Sequence, residues 1–416
     1  MLYCVGWAVV VVAEGGIHEI FERELNKQTL FVDRNTMTPH YTPAKLPFRE
    51  KQIEEIGRLV ALTLSGKRPD NLFVYGKPGT GKTSTARHVL EELMAFAAKR
   101  GARVRGIYVN CRTHNSKYKV LIKCLKELYP QESFLGFSGA FLYEKLLDFL
   151  RENKHQVILA LDELDKVKDL DELVYALTRC NDELTDGSVS ILGISNNLMF
   201  KDRLDPRTKS SLCKQEMVFP PYNAEELKAI LEQRVQQAFK PNVVQANAIN
   251  LASAIAAQES GDARTAVMLM LRAGEIAEKE GLDTVREEEV RKARTSVEEE
   301  IILSMVSTLP EQEQIVLYAI ACLALDKKGT RKLSGEIEEG ILYSGEVYEA
   351  YQQIARQFKE DVVSARWYRE YVNELEMYGL ILTTNSGKGM KGQTRFIKLT
   401  YSAPKIKEAL ERELLK

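Results

Sequence analysis

Between residues 31 and 221, short runs of β-branched and other apolar residues alternate with stretches whose apolar positions recur every three to four residues. Near-continuous apolar runs separated by helical segments are the mark of a parallel sheet covered by helices on both faces. The pattern predicts strands at Leu72–Tyr75 and at 104–109, 157–161, 190–194 and 217–219. From Asn223 it turns wholly helical: Asn223 and Glu226 have capping-box spacing, and Leu227, Ile230, Leu231 and Val235 follow on one face. This periodicity continues to about Glu300. Thr308-Leu309-Pro310 then opens a new segment, with a helix predicted over 311–325, a polar loop rich in Lys and Gly, two further helices and a terminal hairpin. Helices followed by a small hairpin is the order of a winged helix. The division is an N-terminal extension (1–30), an α/β base (31–221), a helical lid (222–300) and a winged-helix domain (301–416), within the two to four units that 416 residues suggest.

Composition changes this picture little, with 44% hydrophobic and 28% charged residues, as in a soluble globular protein. The apolar stretch 3–13 lacks a basic leader and is too short to span a bilayer, so no membrane partner is expected. It reads either as a buried strand or as an extension from an early start codon. The six cysteines show no C-x-x-C spacing and no His cluster, which points to reduced thiols in a cytoplasmic protein.

Charge matters more by its distribution. The net is −1, but residues 99–128 carry nine Lys or Arg against Glu127 alone, and residues 381–416 carry eight against three Glu. Two basic stretches on a neutral chain are compatible with a polyanionic partner.

The strongest chemical motif is Gly76-Lys77-Pro78-Gly79-Thr80-Gly81-Lys82-Thr83, followed by Ser84, between a predicted strand and a predicted helix. It fits G-x-x-x-x-G-K-[ST]: glycines let backbone N–H groups wrap phosphates, Lys82 reaches the terminal phosphate oxygens and Thr83 ligates Mg²⁺. The strand 157–161 runs into Asp162 and Glu163, where Asp162 suits Mg²⁺ through its waters and Glu163 suits polarisation of an attacking water. The strand 190–194 leads to Asn196 and Asn197, either of which could sense a γ-phosphate. Ser260-Gly261-Asp262-Ala263-Arg264 begins a helix from which Arg264 could reach back to the nucleotide.

Together these pieces resemble the AAA+ ATPases, with Walker A at 76–83, Walker B at Asp162 and Glu163, sensor 1 at Asn196 and sensor 2 at Arg264. The intervening sequence narrows the resemblance. The stretch from Tyr41 to Glu50, Val109-Asn110-Cys111-Arg112, Leu204-Asp205-Pro206-Arg207 and Phe219-Pro220-Pro221-Tyr222 are similar to the archaeal replication initiators, relatives of the origin recognition complex ATPase and its cell-division-cycle loading partner. The resemblance runs from about Phe31 to Thr400. It implies a P-loop parallel sheet with a helical lid and a winged helix, and binding of ATP and ADP with Mg²⁺. It also implies slow hydrolysis used as a switch, duplex origin DNA as ligand, and recruitment or loading of the replicative minichromosome maintenance helicase. Tyr41, Pro43, Leu46 and Tyr222 are carried over to the nucleotide's surroundings, and Arg207 to an arginine finger offered to a neighbouring initiator copy.

The resemblance also implies an initiator-specific helical insertion at 112–128 that meets the minor groove, where Arg112, Thr113 and Asn115 have suitable donors. In the C-terminal domain Ser364 is a suitable N-cap, and Tyr368, Tyr371, Val372, Leu375 and Tyr378 share one helix face. Arg366, Arg369 and Asn373 occupy another. The glycine-rich hairpin tip bears Lys388 and Lys391, and Arg395 lies on the return strand. A helix in the major groove with a wing alongside uses such residues. An ATP-binding winged-helix transcription regulator would share the ATPase and the winged helix, and the insertion separates the two readings.

Overall fold

The computed structural model describes residues 29–38, 41–43, 45–197, 200–326, 330–331, 337–338, 341–358, 360–385 and 395–414. The apolar stretch 3–13 and the hairpin lysines Lys388 and Lys391 lie outside the described residues.

The chain divides into two compact units, one ending at Ala293 and the other running from Arg294 to Lys416. The first begins its α/β part with α1 (Glu50–Ala61), β1 (Leu72–Tyr75), α2 (Lys82–Arg100), β2 (Val104–Asn110), α3 (Lys117–Leu128) and α4 (Gly139–Asn153). It continues with β3 (Gln156–Asp162), α5 (Leu170–Arg179), β4 (Ser188–Ser195), α6 (Pro206–Leu212) and β5 (Gln215–Val218). The five strands pair in the order β2-β3-β4-β1-β5, all parallel.

Strand alternation sends Phe73, Leu159 and Leu161 to one face, against Leu121, Leu125 and Leu147. Val74, Ile158, Ala160 and Ile194 go to the other, against Val60, Val89 and Leu93. With all strands parallel, the C-terminal ends of β1, β3 and β4 share one edge, where ligands of open α/β sheets bind.

The predicted strands are all present, but β3, β4 and β5 begin one or two residues earlier than their apolar runs. Polar residues hide two of those starts. Gln156 and Ser188 are buried and face each other, the Ser188 hydroxyl donating to Gln156 Oε1.

The lid consists of α7 (Ala224–Ala238), α8 (Ala246–Glu259) and α9 (Ala263–Glu280). Both capping-box bonds of α7 form: Glu226 N–H donates to Asn223 Oδ1 and Asn223 N–H to Glu226 Oε2, each at 2.9 Å. Residues 29–38 precede α1 and the sheet in sequence yet pack on the lid. Val32 N–H donates to Ala238 O, and Phe31 meets Phe239 with ring centroids 4.3 Å apart. Helix α10 (Glu287–Val306) follows.

The second unit contains α11 (Glu311–Asp326), a short ribbon of β6 (Thr330–Arg331) and β7 (Ile337–Glu338), then β8 (Leu342–Tyr343), α12 (Ser344–Gln357) and α13 (Ala365–Met377). It ends with β9 (Ile381–Asn385), β10 (Arg395–Leu399) and α14 (Ala403–Leu414). An antiparallel sheet in the order β8-β10-β9 closes a core of Val316, Leu317, Ile320, Tyr351, Leu375, Ile397 and Leu410.

The sequence pattern did not anticipate α14, and it changes the meaning of the C-terminal basic stretch. Lys405 pairs with Glu298, Lys407 with Glu411 and Arg412 with Glu408, so these cations are neutralised within the unit.

Among the described residues no helix is long and apolar enough to cross a membrane, and all five cysteines are free.

Candidate functional site

The turn after β1 is shaped by glycines. Gly79 and Gly81 have φ of 68° and 90°, in the left-handed region that side chains disfavour. A Cβ on Gly79 would run into Asp262 Oδ1, and one on Gly81 would lie 2.9 Å from the Tyr222 hydroxyl. The loop is thus a close cradle that no larger residue allows, opening onto the N-terminus of α2. Thr80 Oγ1 donates to Lys77 O at 2.8 Å and braces it, while Lys77 and Pro78 are exposed and Ser84 is half-buried in the first turn of α2.

Lys82 is buried, and its Nζ donates to Gly76 O at 2.7 Å and Lys77 O at 2.6 Å. Burial pulls its ammonium down to about 8, with the Asp162 carboxylate acting against the shift and Arg264 adding to it. A cation held by two loop carbonyls and, at 3.4 Å, by the Thr80 hydroxyl is suited to exchange these neutral acceptors for phosphate oxygens.

Asp162 ends β3 beside this lysine. Its Oδ2 accepts from Thr83 Oγ1 at 2.8 Å and from the Tyr108 hydroxyl at 2.6 Å, and its Oδ1 accepts Glu163 N–H at 3.0 Å. Adjacent hydroxyl and carboxylate oxygens fit Mg²⁺, which takes one or two protein ligands and completes its shell with phosphates and water. Among the described residues there is no cluster of three or more His, Cys, Asp or Glu that could hold a metal ion.

Glu163 has φ of 53°, a strained backbone for a residue with a side chain. Burial raises its carboxyl, and Arg112 opposes that rise. At the end of β4 Asn196 is exposed and Asn197 half-buried. Ser195 Oγ accepts Asn197 N–H at 3.0 Å and donates to Asp165 Oδ1 at 2.7 Å.

The lid reaches this loop directly. Asp262 caps α9 by accepting Arg264 N–H at 2.7 Å, and Ala263 N–H donates to Gly79 O at 3.3 Å. Arg264 is exposed on the first turn, close enough to Lys82 for its charge to act there.

Arg49 is buried, with its guanidinium 3.8 Å from the Tyr222 ring centroid. It donates to the carbonyls of Thr80, Phe48 and Pro220, each at 2.8 Å. Arg234 on α7 donates to Thr36 O and Tyr41 O and lies over the Tyr41 ring. Pro43 is buried, and Leu46 and Tyr41 are half-buried. Arg207 begins α6, is exposed, and forms no ion pair among the described residues.

The residues read as DNA contacts divide. Arg112 and Thr113 are exposed beyond the end of β2, while Asn115 is half-buried and accepts from Lys119. Lys117 and Lys123 on α3 pair with Glu172 and Glu127. Lys99, Arg100, Arg103 and Arg105 lie at the end of α2 and the start of β2, at the opposite end of a seven-residue strand, about 20 Å from Arg112. The basic segment 99–128 is therefore not one surface.

On α13 Arg366 and Arg369 are exposed. Asn373 departs from the expected free face: it is half-buried and accepts a hydrogen bond from Arg395, so these two contact one another. Ser364 occupies the N-cap position without making a side-chain capping bond. Trp367, 59% exposed between the two arginines, was not singled out from sequence.

Sequence reasoning also passed over Arg49, Asp262 and Tyr108. The first two stand inside stretches already noted, 41–50 and 260–264. Tyr108 carries no local signal, because an aromatic residue in a strand reads as core.

Family models match across the chain: an AAA domain over residues 66–198, a Cdc6 AAA+ ATPase-type lid domain over 228–295 and a CDC6 C-terminal winged helix domain over 304–409. The ORC1-type DNA replication protein of Pyrococcus abyssi is 38% identical over 397 residues, covering 94% of this chain and 92% of that protein. The ORC1-type DNA replication protein 1 of Archaeoglobus fulgidus is 38% identical over 395 residues, covering 95% and 94%. The Aeropyrum pernix ORC1 protein, solved in complex with DNA, superposes with a TM-score of 0.74 at 35% identity, covering 92% of this chain and 97% of that one. Identity at this level over nearly the whole of both chains, on one shared architecture, places the chain in the ORC1/Cdc6-type family of archaeal DNA replication initiators.

Proposed function

We propose that this protein binds ATP with Mg²⁺ between base and lid, grips duplex origin DNA, and recruits or loads the replicative minichromosome maintenance helicase, with slow hydrolysis to ADP as the switch. The observation that carries the reading is the contact of Asp262 and Ala263, at the start of a lid helix, with Gly79 in the phosphate cradle. Because the lid rests on the loop proposed to hold the phosphates, nucleotide bound there would act differently on the two lid positions, the differential interaction a switch requires.

In this mechanism Lys82 and the loop N–H groups hold the phosphates, and Thr83 and Asp162 would hold Mg²⁺, which would neutralise phosphate charge. Glu163 takes the proton of the attacking water, Asn196 orients that water, and Arg264 reads the terminal phosphate from the lid. Tyr41, Pro43, Leu46 and Tyr222 border the nucleotide, and Arg207 serves a neighbouring copy's site. Arg112, Thr113 and Asn115 approach the minor groove. Arg366 and Arg369 enter the major groove, Lys388 and Lys391 add charge toward the DNA backbone, and the Asn373–Arg395 pair ties α13 to β10.

The A. pernix relative solved with DNA, at 35% identity, supports the DNA part. The deciding experiment is genome-wide mapping of binding sites in wild type and in Glu163→Gln. Occupancy at replication origins, with helicase accumulating beside it in a nucleotide-dependent way, is the expected result. Peaks confined to promoters would replace this reading with that of an ATP-binding transcription regulator.

A further inference from the structure

Tyr108 lies on β2 opposite Ala160, two residues before the Asn110–Asp162 register pair. A tyrosine there could be packing alone, yet its hydroxyl points at the acid of the proposed cation site. It donates at 2.6 Å to Asp162 Oδ2, the oxygen that also accepts from Thr83 Oγ1 at 2.8 Å. The other carboxylate oxygen is taken by Glu163 N–H, so the Asp162 side chain is held at both ends.

Tyr108 is held in turn. Arg87, one helical turn beyond Thr83 on α2, places its guanidinium 4.0 Å from the ring centroid. Arg87 Nε is buried without a hydrogen-bond partner, a cost that ring stacking partly offsets.

We propose that Tyr108 is a positioning residue for the divalent cation, fixing the Asp162 carboxylate so that Oδ2 and Thr83 Oγ1 face one site. The proposal rests on the reading of Thr83 and Asp162 as the residues that hold Mg²⁺. Partners of this kind act by orienting a ligand that would otherwise sample several rotamers, and their loss weakens metal binding by about 10–100-fold.

Tyr108→Phe keeps the ring and its stacking with Arg87 and removes only the hydroxyl. In the full-length chain, binding of a fluorescent ATP analogue is titrated with Mg²⁺ and repeated in EDTA, with Asp162→Asn in parallel. The expected result is an increase of about tenfold in the Mg²⁺ concentration giving half-maximal enhancement, with affinity in EDTA unchanged. An unaltered Mg²⁺ dependence overturns the proposal, and so does equal weakening with and without Mg²⁺, which would mark Tyr108 as packing alone. If Asp162→Asn shifts the Mg²⁺ dependence and Tyr108→Phe does not, only the role of Tyr108 fails. If neither shifts it, the cation reading of Asp162 fails as well.

Discussion

Glu163 and Lys82 are each kept in an unfavourable state that the proposed reaction would use. The left-handed backbone of Glu163 costs about 1–3 kcal/mol, and burial raises its carboxyl toward the range where a carboxylate is a better base. Replacing Glu163 by Gln should slow ATP hydrolysis by about 10²–10⁴-fold and leave ATP affinity unchanged. Steady-state turnover beside equilibrium titration checks this, and undiminished turnover would remove Glu163 from its role.

Lys82 makes a prediction about protons. Its pKa is lowered from 10.5 to about 8 in the folded chain, so between those values the unfolded chain holds a proton that the folded chain has lost. Stability of the nucleotide-free protein from this group therefore rises with pH across that window, and below it the full cost of burying the charge remains. Phosphate oxygens would restore the charged form, so ATP binding at pH 8 should take up about half a proton at this group. Calorimetry at pH 8 in buffers of different ionisation enthalpy should give different apparent binding enthalpies, and a buffer-independent enthalpy would contradict the shift.

At the level of elements, the meeting of α9 with the phosphate loop is the sensitive joint. Asp262 caps α9 and occupies the space that a side chain at Gly79 would need. Asp262→Ala should cost about 1 kcal/mol in helix capping, speed hydrogen exchange in the first turn of α9 and weaken ATP binding, whereas Asp262→Asn should retain most of the cap. Equal behaviour of the two variants would count against capping as the cause. The second unit has its own sensitive point in Tyr351, whose buried hydroxyl donates to Gln312 Oε1 at 2.6 Å and accepts Val363 N–H at 3.1 Å. Tyr351→Phe leaves both partners without it and should lower unfolding stability by about 1–3 kcal/mol in a denaturant titration.

Elements were legible where their pattern is local. The apolar runs of the five strands and the Asn223–Glu226 cap could be read directly. The starts of β3 and β4 could not, because Gln156 and Ser188 satisfy each other only across two strands. The packing of residues 29–38 on the lid was also hidden, since its contacts with Ala238 and Phe239 lie some 200 positions along the chain.

For the whole molecule, the structure separates exposed cations from cations paired within their own unit. Arg366 and Arg369 are exposed on α13, whereas Lys405, Lys407 and Arg412 pair within their own unit. Charge reversal at Arg366 and Arg369 should weaken duplex binding and reduce the salt dependence of the affinity by about 0.9 in log–log slope for each phosphate that is no longer neutralised. Reversal at Arg103 and Arg105, at the far end of β2, should leave that slope unchanged. Binding titrations over a range of salt concentrations decide both, and a flattened slope in the second pair would reunite the basic segment as one surface.

The sequence by itself determined what depends on neighbours in the chain: the phosphate loop, the apolar strand runs, the capped lid helix and the order of the domains. Tertiary structure alone decided what depends on partners far apart: that Tyr108 and Thr83 share one oxygen of Asp162, that Asp262 fills the space beside Gly79, and that Arg49 joins the loop to Tyr222. The reason is physical. Periodicity and turn chemistry act over a few residues, whereas a hydrogen bond to a buried carboxylate is specified only when the fold brings both partners within about 3 Å.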